Sequence, residues 1–155
     1  MSQQKASSQP AAGAAPTGIK AGNGKYYFDL ATANRVLAGG SYSTAAGSLI
    51  EGERIQCGLM NMPKGTGARP HTHPNEQWIY VVQGTLDCEI EGVKSLASAG
   101  TLIYVPANAV HTVVAIPNQG DVIFFTCKDM SYGIVGNAVD NSVSGPRYAP
   151  GFEKK

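Results

Sequence analysis

The sequence predicts an all-β protein built as one small sandwich or barrel. Short runs rich in β-branched and aromatic residues recur along the chain, and turn-forming residues punctuate them at close intervals. No segment repeats another, so one barrel is expected rather than two. Spacing this short suits antiparallel strands better than a sheet with helical crossovers.

The strands are expected over residues 25–30, 53–60, 77–82, 85–91, 93–96, 101–105, 111–116 and 122–127. Between them stand Gln83-Gly84, Glu91-Gly92, Ala99-Gly100, Pro106-Ala107-Asn108 and Pro117-Asn118-Gln119-Gly120, each a turn by composition. Residues 31–38 are read as a short helix. Residues 1–18 are rich in Ala, Ser, Gln and Pro, carry one lysine and hold no apolar run, which predicts a disordered N-terminal arm. That arm lacks the apolar stretch of a secretory signal, and nothing later approaches a membrane span. The barrel is expected over 19–128. A C-terminal extension, 129–155, is Gly-, Asn- and Pro-rich but carries Tyr132, Ile134, Val135, Tyr148 and Phe152. It is too apolar for a free tail and should pack on the barrel, across a dimer, or over a pocket mouth.

A formal charge of +1 from 12 basic and 11 acidic residues gives no footprint for nucleic acid, and no membrane partner is expected. The three cysteines, Cys57, Cys88 and Cys127, lie in apolar runs and are odd in number. Free buried thiols in a reducing cytoplasm are the expectation, and the protein is expected to be cytoplasmic.

Function is signalled by histidine. The chain has three, His71, His73 and His111. Residues at i and i+2 of a strand share a face, so His71 and His73 can hold one ion together. Neutral imidazole is the commonest transition-metal ligand. Two further residues compete for a fourth position. Gln77 shares a face with Ile79 and Val81, whereas Glu76 shares the other with Trp78 and Tyr80. Only one of them can reach the ion, and the faces alone leave both open. Arg69, two before His71, is the candidate catalytic residue, a planar fork able to clamp a substrate carboxylate if the strand runs straight there. A loop around Pro70 would leave it solvated instead.

The spacings resemble the two motifs of the cupin superfamily. Gly65, five residues, His71-Thr72-His73, three residues, Gln77, six residues and Gly84 are similar to the first, with Gln77 where most members have glutamate. Gly100, five residues, Pro106 and then His111 are similar to the second. Asn108 and Ala115 depart from the family's usual glycine and asparagine; Asn108 tolerates a left-handed backbone, so that change is mild. The resemblance covers roughly residues 65–115 and implies a small antiparallel jelly-roll barrel with the metal inside. It implies one divalent transition metal held by His71, His73, Gln77 and His111, with Fe(II) preferred and Mn, Ni, Co or Zn open. A neutral glutamine would leave the ion its full charge and attract anions.

The resemblance does not fix a reaction. The leading expectation is a mononuclear non-haem iron oxygenase acting on a small oxygenated, possibly anionic, molecule. The alternatives are a non-redox decarboxylase, lyase or isomerase, or a non-catalytic cupin that binds a small molecule. A homodimer is expected, paired through residues 26–30 or the extension.

Overall fold

The computed structural model describes residues 18–154. The arm expected over 1–18 therefore lies outside the described residues, apart from Gly18. The strands are β1 (Ile19–Lys20), β2 (Val36–Leu37), β3 (Ala46–Glu51), β4 (Ile55–Met62), β5 (Thr66–Thr72), β6 (Gln77–Gln83) and β7 (Thr85–Ile90). They continue as β8 (Val93–Ser98), β9 (Leu102–Val105), β10 (His111–Ala115), β11 (Val122–Asp129), β12 (Asn137–Ala138) and β13 (Arg147–Tyr148). Among the described residues the helical content is two short 3-10 turns, Gly40–Tyr42 and Pro117–Gln119. No helix among them is long and apolar enough to cross a membrane.

The strands form two sheets. One runs β1-β3-β4-β11-β6-β9 with β2 beside β3; the other runs β12-β5-β10-β7-β8 with β13 beside β5. Pairing is antiparallel except for β1 with β3. This is the jelly-roll architecture the motifs imply. Turn chemistry sets the hairpins: Glu91 and Gly92 both have positive φ, which matches the twist of β7 and β8. Asn108 also sits left-handed, at φ 62, as its identity allows.

Alternation fixes what lies inside. On β11, Val122, Phe124, Thr126 and Lys128 are buried, and on β6 Gln77, Ile79 and Val81 are. Leu49, Met60, Met62, Val81, Leu86, Val105 and Val122 are among the largest fully buried side chains. Each contributes about 1.5–3 kcal/mol by leaving water. The interior is divided along its axis. Val122 faces Met62 at one end, while Lys128 lies opposite both Gln56 and Gln77 at the other. The polar end is where function concentrates.

Two local expectations are corrected. Residues 25–30 form no ladder beyond a Gly22–Lys25 bridge, and Tyr26 and Tyr27 are exposed, because no neighbouring strand takes up their backbone groups. Residues 31–38 are turn and the short strand β2, not helix, since Leu49 N–H and Ser48 Oγ bind Asn34 and hold the segment against β3. Strands β3 and β5 were not expected: Ala-Gly-Ser opens one, and Gly67 and Pro70 interrupt the pattern of the other.

The extension folds back over the polar end of its own barrel. β12 pairs with Thr72 and His71, and β13 with Gly67 and Thr66. Gln56 Nε2 donates to the Tyr132 carbonyl at 2.9 Å, and Asn75 Nδ2 to those of Asp129 (3.0 Å) and Tyr132 (3.1 Å). Further along, Phe152 lies so close over Gly65 that a Cβ there would meet its ring at 2.3 Å. Glycine at that motif position is therefore required by both its φ of +74° and its cover.

Candidate metal centre

The two sheets bring the three histidines together. His71 on β5 and His111 on β10 are direct cross-strand partners, and His73 follows in the turn after β5. Asn108 N–H donates to the His73 carbonyl at 2.8 Å, which ties the turn before β10 to the turn after β5. All three imidazoles are buried. Their ring centroids lie 4.0 Å (His71–His111), 4.8 Å (His73–His111) and 6.1 Å (His71–His73) apart. One ligand atom from each falls within 4.8 Å of the others, so the group can bind one metal ion.

The hydrogen bonds orient these rings as ligands. Each Nδ1 meets a backbone carbonyl two residues away: His71 that of Arg69 (2.6 Å), His73 that of Asn75 (2.7 Å) and His111 that of Ala109 (2.9 Å). A carbonyl can only accept, so each Nδ1 carries the proton and each Nε2 presents a lone pair. Burial holds all three rings neutral. It pushes the His71 pKa well below the ordinary range, and those of His73 and His111 down to about 4.

Gln77 lies beside the three histidines. Thr126 donates its hydroxyl proton to the Trp78 carbonyl (3.0 Å) and accepts from Gln77 Nε2 (2.8 Å). That chain turns Gln77 Oε1 toward His73 Nε2, 3.0 Å away. A neutral His73 has one ring proton and two acceptors facing it, the Asn75 carbonyl and Gln77 Oε1. Either tautomer leaves one pair of lone pairs opposed; a cation between Nε2 and Oε1 resolves the conflict. The donor set therefore fits a metal ion. Glu76 lies on the far face, exposed, where its carboxylate accepts from Tyr104 Oη (3.0 Å) and Trp78 Nε1 (3.3 Å).

Beside the histidines is a cavity of about 40 Å³, lined in part by His71, His111, Gln77, Thr126, Tyr42 and Lys128. No Asp or Glu is in its lining. Lys128 is buried at 4 % exposure, donates to the Ile134 carbonyl at 3.1 Å, and has its pKa lowered by burial to about 7. Tyr42 stacks on His71 at 4.4 Å, and its oxygen accepts from Gly136 N–H at 2.7 Å. Tyr42 and Gly39 also line an outer cleft of about 500 Å³, so they stand between the two spaces.

Arg69 does not line that cavity. Its guanidinium donates to the carbonyls of Asp140 (2.9 Å), Val143 and Gly145 and so fastens the extension. The reason is a β-bulge. His111 pairs with His71 and Val113 with Ala68, so β5 carries an extra residue between them and Ala68, not Arg69, shares the inner face with His71. Arg69, expected as a carboxylate clamp, here anchors the extension and lines an outer cleft rather than the inner cavity. A strand ending at residue 127 stops one step short of Lys128. One more step of the same alternation points Lys128 inward.

Comparison with known proteins agrees with this architecture. Residues 58–127 match the cupin-domain family. A curated relative, acetate kinase EutQ of Clostridioides difficile, is 34% identical over 79 residues, 51% of this chain and 48% of its own. The chain thus spans about half the length of the curated relative it matches. Among solved structures, an RmlC-like cupin family protein from Methanocaldococcus jannaschii with a double-stranded β-helix fold aligns at TM-score 0.50. It shares 18% identity over 67% of this chain and 87% of that one. KdgF from Halomonas sp. aligns at TM-score 0.46 with 27% identity, over 49% and 69%.

Proposed function

From the match of residues 58–127 to the cupin-domain family, we propose that the protein is a metal-dependent enzyme acting on a small oxygenated carboxylate by proton transfer, as a lyase, isomerase or decarboxylase. The observation that carries this reading is the pairing of a neutral donor set with Lys128 in a cavity lined by no acidic side chain. His71, His73, His111 and Gln77 would hold the ion without offsetting its charge. When bound, the ion supplies Lewis-acid polarisation of a carbonyl or carboxylate oxygen.

The rest is the work of this chain's residues. Lys128 spends one donor on Ile134 and keeps the others for an anionic group in the cavity. With its pKa near 7 it both gives and takes a proton at neutral pH. Thr126 fixes Gln77, and Tyr42 stacks on His71 and holds its ring in place. About 40 Å³ admits a head group of a few atoms, with any remainder of the substrate reaching toward the cleft beyond Tyr42. The curated relative is named for acetate, itself a small carboxylate.

An iron oxygenase is the second reading, favoured by the same donor set, since three nitrogens and one oxygen leave positions open on a five- or six-coordinate ion. One experiment separates the readings. Protein loaded with Fe(II), Mn(II), Ni(II), Co(II) or Zn(II) is assayed against 2-oxo acids and hydroxy acids in air and without oxygen. Turnover unchanged without oxygen supports proton-transfer chemistry; turnover that stops there, with oxygen consumed in air, assigns an oxygenase. Binding of oxalate with no turnover in any arm overturns both in favour of a non-catalytic binding protein.

A further inference from the structure

On the outer face of the seven-stranded sheet, Cys57 of β4 and Cys127 of β11 are direct cross-strand partners, with their sulfur atoms 3.5 Å apart. We propose that Cys57 and Cys127 form a reversible dithiol–disulfide site, oxidised by exchange with a small-molecule disulfide. Directly opposed residues of antiparallel strands have Cα atoms about 4.5–5.5 Å apart, inside the range of about 4.4–6.8 Å that a disulfide bridges. Closing the bond needs small side-chain movements and no change of register.

Access favours one order of events. Both sulfurs are half-buried, and Cys57 lines an open groove of about 620 Å³ with Tyr26, Tyr27, Phe28 and Ile50. An incoming disulfide R–S–S–R reaches Cys57 along that groove. The Cys57 thiolate attacks one sulfur, forming Cys57–S–S–R and releasing RS⁻, which takes up the proton Cys57 gave. The Cys127 thiolate then attacks Cys57 Sγ, forming the Cys57–Cys127 bond and releasing a second RS⁻. Two thiols are oxidised, one disulfide is reduced to two thiols, and two electrons pass to it. Burial pushes the Cys57 thiol up to about 11, so the first attack is slow at neutral pH. The second, between groups already in contact, is fast, and the mixed disulfide does not accumulate. Cys88 is buried on the other sheet and serves as an internal control.

The site adjoins the polar end of the barrel: the neighbouring register pair is Gln56 with Lys128. It nevertheless stands independently of any activity there. The test is intact-mass analysis and thiol counting of native protein incubated with oxidised glutathione. The wild type should lose two of its three thiols and the mass of two hydrogens, with no glutathione attached and with Cys88 unmodified. Cys127→Ser should instead trap a stable glutathione adduct on Cys57. Dithiothreitol should restore three thiols in the wild type. A persistent adduct on the wild type, a bond involving Cys88, disulfide-linked dimers on a non-reducing gel, or three unreacted thiols would each overturn the proposal.

Discussion

Replacing Lys128 by methionine should make the protein more stable and a poorer binder of anions at once. The change keeps the length of the side chain and removes a charge held at 4 % exposure. Burial takes the ammonium from its ordinary 10.5 to about 7. At pH 7 that difference costs the folded state about 4–5 kcal/mol relative to a lysine in water. Methionine loses the bond to the Ile134 carbonyl, a loss of about 1–2 kcal/mol. The net gain is then about 3 kcal/mol, or roughly 6–12 °C in Tm for a domain of this size. The sign with pH is fixed. The unfolded lysine binds its proton up to about 10.5 and the folded one only to about 7, so wild-type stability rises with pH between those values. The advantage of Lys128→Met should therefore shrink across that window. Oxalate binding to the metal-loaded variant, followed by calorimetry, should weaken about 10–100-fold with the loss of a charged hydrogen bond. A variant that melts at or below the wild-type temperature, or that binds oxalate within about twofold of it, would refute the reasoning.

Five more outcomes are expected. A free imidazole, with a pKa of about 6.5, would release metal near pH 6. With His73 and His111 held at about 4, protons compete only near that value, so elemental analysis after dialysis should show metal kept to about pH 5 and lost by about pH 4. The apoprotein, conversely, should lose stability as pH falls from about 6.5 to 4, because the unfolded histidines take up protons first, at about 3 kcal/mol each. Gln77→Glu should keep or raise metal affinity while weakening oxalate binding, because it adds a negative charge beside the ion; Glu76→Gln, on the far face, should alter neither. Arg69→Ala should free the extension from three carbonyls, seen as faster limited proteolysis within residues 130–150 with the barrel intact. Light scattering at micromolar concentration should report a homodimer, paired through residues 26–30, where Tyr26 and Tyr27 are exposed, or through the extension.

Strands β6 to β11 were legible to within a residue or two: β6, β9 and β11 alternate plainly, and turn residues bound β7, β8 and β10. Where the pattern failed, the backbone was answering to something non-local. β5 reads as a loop, with Gly67 and Pro70 in its middle, yet it pairs with β10, β12 and β13, and its bulge falls at Arg69 and Pro70. The clamp predicted for Arg69 assumed an even alternation that the bulge removes. Residues 25–30 have a strand's composition and no partner strand, which composition cannot reveal.

The site divides along the same line. A motif records His71, His73, Gln77 and His111 as spacings, and the structure gathers the three histidines. Lys128, Asn75 and Tyr42 belong to no motif, and each sits at the boundary of an element where hydrophobicity stops giving a signal. Parity still speaks there. On β4, inward positions run Met62, Met60, Gly58 and then Gln56; on β11 they run Val122, Phe124, Thr126 and then Lys128; on β6 they run Val81, Ile79 and then Gln77. Three strands thus turn polar at the same end while keeping their inward step, and the register places Lys128 directly opposite both Gln56 and Gln77. A polar residue that continues an apolar parity is desolvated at a cost, and a fold keeps such residues only when partners meet them. Gln56 and Lys128, and Asn75 through its Nδ2, meet theirs in the carbonyls of residues 129–134, so the extension is what supports burial of this polar end.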